Sequence, residues 1–287
     1  MTRKSLLEFL MKRRVDITHA LRDRWIEIWK LENQRSPHWV SFIKSQDMKS
    51  SGSKSRTPDF AEPGQDRDLL STNERHFFYR LRFSGELLWI KEQYPLLSLE
   101  RSAAIAKQLG VRHPTYPYTA NVQVVMTSDF YCRSIIGNKI VYSIKDSEAY
   151  KKLTKRQKAN LEIKLKIEQV FWESQGVKWH LIMSEDIKTI FSQNLEQLFS
   201  FYSIDLKLTI LLPRWLSSFE SLIKDHDDIS LSDLISELAD QINLSYQDSV
   251  AIFEHCIWHK KIIADLNQLL RFEKSAAEFK LRVNAYG

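Results

Sequence analysis

VQVVMTSDFYCRSIIGNKIVYSIK, residues Val122–Lys145, is the stretch whose reading decides the fold. Val122–Cys132 and Lys139–Ile144 are rich in β-branched and aromatic residues, and Gly137-Asn138 between them is a turn signal. The stretch therefore predicts a β-hairpin. Asp129 and Lys145 each lie eight residues from Gly137, so a turn centred there makes them cross-strand neighbours. Strict alternation puts Thr127, Asp129 and Tyr131 on one face with Ser143 and Lys145. Val124, Met126, Phe130, Ile140, Tyr142 and Ile144 then form the opposite, core-facing side. Such a charge pair beside a core is either a structural ion pair or part of a metal-dependent active site.

The chain around it has 287 residues, enough for two domains, with 43% hydrophobic and 27% charged residues. Cys132 and Cys256 are far apart and lack metal-ligand spacing, which points to a reducing cytoplasm. No apolar run is long enough to span a membrane, and the amino terminus does not read as a signal peptide. Charge is uneven. Residues 1–184 hold 32 Lys and Arg against 20 Asp and Glu, whereas residues 185–287 hold 10 against 16. The basic part suits a phosphate backbone, and the acidic part suits a protein partner.

Outward from the hairpin, residues 4–31 predict an amphipathic helix with Ile17, Leu21, Trp25 and Ile28 on one stripe and Arg13, Arg14, Arg22, Arg24 and Lys30 around it. His38–Ile43 reads as a short strand. Gln46–Arg67 reads as a long polar loop whose Lys49, Lys54 and Arg56 could reach nucleic acid. Ser71–Glu74 has a capping-box pattern ahead of Phe77, Phe78 and Leu81. Glu86–Tyr94 predicts a strand, and Ser98–Leu109 a helix closed by Gly110. Past Lys145 come a long basic helix, Glu148–Gln175, and a strand, Lys178–Met183. The boundaries expected are a mixed α/β domain over residues 1–184 and a mostly helical domain over 185–287, for which a winged helix and a plain helical adaptor are both open. In the latter, helices are expected at Ile187–Tyr202, Arg214–Lys224, Ser232–Asn243 and from Gln247 to about Arg271.

Gly-rich phosphate loops, zinc spacings and nucleophile elbows are absent. His255 and His259, four apart, read better as a packed helix face than as metal ligands. Asp129, Lys145 and Glu74 remain, the last heading a helix that can pack on the hairpin sheet. Two carboxylates can hold magnesium, which keeps water and substrate phosphate in its shell, and a lysine beside them can screen developing charge. An Asp–Lys ion pair and a capping Glu explain the same residues.

The order of motifs narrows this choice. LLSTNERHFF, WIKEQYPL, RHP, VVMTSDFYC, YSIKDSE, FWESQGVKWHLIMSEDI and SQNLEQLFSF together resemble the TnsA endonucleases, from about Trp39 to Phe201. These are subunits of the heteromeric transposase of Tn-seven-type elements. The resemblance implies a restriction-endonuclease-like fold with a PD-(D/E)xK type of site. Carried over, Glu74 and Asp129 are acidic metal ligands, the Ile144 carbonyl completes the inner shell, and Lys145 is the catalytic lysine. Two Mg2+ ions are implied, with Mn2+ able to substitute. One position departs from the pattern: Ser143 stands where the superfamily places Glu or Gln. Glu86 and Glu92 are rival ligands, Glu92 being the more structural in its motif. His113 is expected to shape its loop or hold a DNA phosphate, and Lys151, Lys152, Lys155 and Arg156 are expected phosphate contacts. The implied partners are double-stranded DNA at transposon ends, a TnsB-type transposase and a TnsC-type AAA+ ATPase. A free-standing nuclease of the same superfamily, or a scaffold whose site has decayed, would share much of this sequence.

Overall fold

A computed structural model describes residues 17–47, 53–226 and 228–284. The elements in order are α1 (His19–Arg35), β1 (Ser55–Pro58), β2 (Asp66–Leu69), α2 (Thr72–Ser84), β3 (Leu87–Pro95), α3 (Leu99–Gln108), β4 (Thr127–Ser134), β5 (Lys139–Lys145), α4 (Ser147–Lys151), α5 (Lys155–Glu173) and β6 (Lys178–Met183). There follow α6 (Ser184–Ile187), α7 (Ile190–Phe199), α8 (Leu206–Asp225), α9 (Leu231–Ile242), α10 (Tyr246–Trp258), β7 (Ile262–Ile263) and β8 (Arg282–Val283). The chain forms two units. One comprises residues 1–75 and 86–186, the other residues 76–85 and 187–287.

The first unit is built on a four-stranded mixed sheet in the order β3-β4-β5-β6, with the last pair parallel and the others antiparallel. The parallel pair needs a crossover, and α4 and α5 supply it. Helices α3 and α5 cover one face. Ile105 and Ala106 of α3 and Ile167, Phe171 and Trp172 of α5 cluster there with Met126, Tyr131 and Val141 of the sheet side. Trp172 stacks on Tyr131 at 4.9 Å, and Tyr94 and Trp89 meet the same tyrosine edge-on. Aromatic pairs of this kind add about 0.5–1.5 kcal/mol beyond area burial. A second cluster joins Ile26 and Trp29 of α1 to Phe42, Leu99 and Val125. This is the expected α/β class, with a restriction-endonuclease-like mixed sheet flanked by helices.

The hairpin differs from strict alternation in two ways. Its pairs run Phe130–Tyr142, Tyr131–Val141, Cys132–Ile140 and Arg133–Lys139, so the turn centres one residue before Gly137. That moves every partner by two positions and keeps the faces, but Lys145 is not directly opposite Asp129. The face expected to be polar is also the packed one, since Tyr131, Val141 and Ser143 are all buried beneath α5. Gln93, at φ +48°, breaks the alternation of β3.

Other expectations changed for identifiable reasons. His38–Ile43 is not a strand; Ser41 and Trp39 there bond to Glu92 instead. The polar segment 46–67 contains the β1–β2 hairpin, where Arg56 pairs with Asp66 at 3.0 Å. Lys49, Arg13 and Arg14 lie outside the described residues. In α1 the buried positions are Arg22, Ile26 and Trp29 rather than the expected stripe. The single long helix after Lys145 is two helices, because Thr154 caps α5 in a reciprocal pair with Gln157. Ser98 caps α3, and Gly110 follows it at φ +67°, the conformation a glycine provides at a helix end.

The second unit is mostly helical. Trp215 stacks on Phe219 at 4.9 Å, and Phe199 meets Trp258 edge-on. Helix α8 starts earlier than expected and runs through Pro213. Helix α10 stops at Trp258, Lys260 adopts φ +57°, and β7 follows where helix was expected up to Arg271, pairing with β8 further on. Among the described residues no helix is long and apolar enough to cross a membrane.

Candidate active site

Strand β4 ends its regular pairing with β5 at Phe130–Tyr142, and the next residue explains why. The Asp129 carboxylate accepts the Ile144 backbone N–H at 2.5 Å, in place of a ladder carbonyl. The same oxygen accepts from the Lys145 ammonium at 3.2 Å, and that ammonium also donates to the Ile144 carbonyl at 2.7 Å. Asp129 and Lys145 side chains keep 16% and 27% of their surface exposed, so the pair sits at the edge of the core rather than inside it.

Glu74 reaches the same place from the first turn of α2. Its Oε2 accepts from Leu70 N and Gln93 Nε2, both at 3.0 Å, and its Oε1 accepts from the Ser71 hydroxyl at 3.0 Å. Burial, reinforced by the negative charge of Asp129, lifts its pKa to about 8 despite those donors.

Glu168 is a fourth member that the sequence motifs did not single out. It lies on the covered face of α5, and its Oε1 accepts from Ser128 at 2.6 Å and from Ser143 at 2.5 Å, one hydroxyl on each strand of the hairpin. Trp172 Nε1 donates to the Ser128 oxygen at 2.8 Å and fixes it. Burial, then repulsion from Asp129, lifts Glu168 to about 7. A signal for it was present. Ile167, Phe171 and Trp172 mark the buried stripe of α5, and a glutamate within such a stripe is a buried carboxylate that needs partners.

Three carboxylates thus surround one lysine. Burial works against the Lys145 ammonium, but Asp129, Glu168 and Glu74 outweigh it and hold its pKa above the usual range. Burial first, and the negative charge of Asp129 second, raises Glu74 and Glu168, and a set of such oxygen donors fits a hard divalent cation. No three His, Cys, Asp or Glu side chains among the described residues are grouped for joint coordination. Magnesium does not require this, because it uses one or two carboxylates with water and substrate phosphate. Glu74, Asp129 and the Ile144 carbonyl are the groups able to hold it.

The other expected residues lie as follows. Glu92 is fully buried in a separate network, accepting from Ser41 at 2.5 Å and from Arg67 at 3.2 Å; Arg67 also pairs with Asp59 at 2.8 Å. Glu86 is at the turn end of the sheet, its carbonyl accepting from Ile135 N. His113 is buried, one ring nitrogen 3.0 Å from Ser102 Oγ and the other 2.9 Å from the Pro114 carbonyl. Both nitrogens are engaged within the protein. Lys151 pairs with Glu148 at 2.8 Å and Glu185 at 3.3 Å. Lys152, Lys155 and Arg156 are exposed around the α4–α5 junction. His255 and His259 face the Phe201 and Tyr202 carbonyls, the packed-face arrangement.

Residues 85–184 match the family described as TnsA-like endonuclease N terminal, a span that holds β3 to β6 and therefore Asp129, Lys145 and Glu168. The chain is also 24% identical over 210 residues to the Transposon Tn7 transposition protein TnsA of Escherichia coli, covering 72% of this chain and 71% of that protein. The domain match and the longer, more distant match agree: residues 85–184 carry a TnsA-like endonuclease N-terminal domain, and the similarity to TnsA extends over most of the chain.

Proposed function

We propose that this protein is the metal-dependent nuclease subunit of a cut-and-paste transposase, hydrolysing the strand at the 5′ ends of the transposon. The observation that carries the reading is the convergence of Glu74, Asp129 and Glu168 on Lys145, in a domain of the TnsA-like family. A divalent cation, magnesium or in its place manganese, supplies Lewis-acid neutralisation of the scissile phosphate and lowers the pKa of bound water. Glu74 and Asp129 would hold it together with the Ile144 carbonyl, and two such ions are the number the family resemblance implies. Asp129 also fixes the Ile144 N–H and the Lys145 ammonium, so the strand end and the cation are set before substrate arrives. Lys145, an ammonium in this charge environment, stabilises negative charge developing at phosphorus. Ser143 supplies no charge of its own; its hydroxyl instead brings Glu168 to the strand position where the superfamily places Glu or Gln.

The exposed Lys152, Lys155 and Arg156, with Lys151, are proposed to run along the phosphate backbone. The partners proposed are a TnsB-type transposase that cuts and joins the 3′ ends and a TnsC-type AAA+ regulator, the acidic C-terminal region being the contact surface. The location proposed is the bacterial cytoplasm, at the nucleoid when the protein is bound to DNA.

End-labelled transposon-end DNA tests the reading. A nick on the 5′ strand is expected in the mixture with both partners and magnesium, and chelation of the metal should abolish it. Efficient cutting of any duplex by the purified chain alone would instead indicate a free-standing nuclease.

A further inference from the structure

Gln93 lies in the sequence motif WIKEQYPL, yet the chemistry above leaves it without a part. Its backbone is at φ +48°, a left-handed conformation that costs a side-chain-bearing residue free energy and that persists only where the surroundings enforce it. The strain falls in mid-strand, between the pairs Glu92–Phe130 and Tyr94–Ser128. The side chain is 2% exposed and both ends of its amide are used. Nε2 donates to Glu74 Oε2 at 3.0 Å, and Oε1 accepts from the Thr127 hydroxyl at 3.3 Å. Its carbonyl accepts from Phe42 N at 3.3 Å, which anchors the backbone of the bend from the other side.

Thr127 is two residues from Asp129 on β4. The amide therefore links the carboxylate at the start of α2 to the strand that carries the second carboxylate. It does so without adding charge. A lysine there would neutralise Glu74, and a glutamate would repel it. With Oε2 held by Gln93 and Leu70, Glu74 meets only the rotatable Ser71 hydroxyl at Oε1, the oxygen left to face a cation.

We propose that Gln93 is a positioning residue that sets the spacing of Glu74 and Asp129 for divalent-cation binding, the strained bend being what aims its amide. The inference rests on the reading of Glu74 and Asp129 as metal ligands. A merely structural Gln93 would govern stability and leave metal affinity alone.

Calorimetric titration of Mn2+ into the full-length protein separates these cases. Gln93→Gly and Gln93→Asn both tolerate the left-handed backbone, one with no side chain and the other with an amide too short to reach Glu74. Both should weaken Mn2+ binding by about tenfold or more at temperatures where the variant remains folded, the effect of losing a hydrogen bond to a charged group. Mn2+ affinity within about twofold of the unmodified protein in both variants would overturn the proposal, as would a loss of melting temperature with affinity unchanged. Glu74→Gln serves as the control. If it binds Mn2+ normally, the ligand reading itself fails; if it does not, while the Gln93 variants do, only the positioning role fails.

Discussion

At the scale of single residues, the Lys145 ammonium faces more negative charge than it can neutralise. Glu74 and Glu168, buried first of all and repelled by Asp129 second, hold protons up to about pH 8 and about pH 7. In the unfolded chain both would release them near the ordinary value of 4.5. Between those limits the folded state binds more protons than the unfolded one, so its stability falls as pH rises and is greatest on the acid side of the window. Metal-free protein melted in chelator from pH 5 to pH 9 should lose melting temperature steadily, and Glu168→Gln should flatten that fall. A flat profile for the unsubstituted protein would contradict the charge account. Because metal displaces these protons, Mn2+ affinity should climb over the same window. The substitution also replaces the ionisable acceptor shared by Ser128 and Ser143 with a neutral amide oxygen. A hydrogen bond of that charged kind is worth about 1.5–3 kcal/mol, so strand cleavage by Glu168→Gln should slow roughly ten- to a hundredfold.

At the scale of elements, α5 does two things at once: its apolar stripe covers the sheet, and Glu168 within that stripe bridges β4 and β5. Thr154→Ala, which removes the capping box, should cost about 1 kcal/mol. In thermal melts this is about 2–4 °C for a domain of this size, with cleavage by the folded protein unchanged. Phe171→Ala should cost about 3–5 kcal/mol, since it empties a fully packed position. The sequence made much of this level legible, because local chemistry decides it. The Gly137-Asn138 turn, the Ser98 cap and Gly110 each act within a few residues, and the T-x-x-Q pattern of Thr154 and Gln157 was there to be read. What was not legible depends on partners distant in sequence. Arg67 gathers Asp59 and Glu92 in a buried network, and so the segment before α2 becomes a hairpin rather than a loop. Gln93 departs from strand geometry, and no local pattern marks a left-handed glutamine. Glu74, Asp129 and Lys145 stand out through the order of motifs around them. Glu168 does not, because the basic residues of its helix make the exposed side the conspicuous one.

At the scale of the whole molecule, charge is divided along the chain, and the exposed cations at the α4–α5 junction belong to its basic part. Neutralising Lys152, Lys155 and Arg156 together should weaken binding to duplex DNA irrespective of sequence. The slope of log K against log salt should fall by about 0.9 for each phosphate that the protein then leaves to its counterions. Lys151→Ala alone should change that slope less, because Glu148 and Glu185 already engage its ammonium. What the assembled site does to DNA is read by strand-resolved mapping of transposition products with Asp129→Ala. With magnesium and both partners present, 5′-strand cleavage should be lost while 3′-end joining continues, so that cointegrates replace simple insertions. Simple insertions at the unsubstituted level in that variant would contradict the reading of Asp129 as a metal ligand.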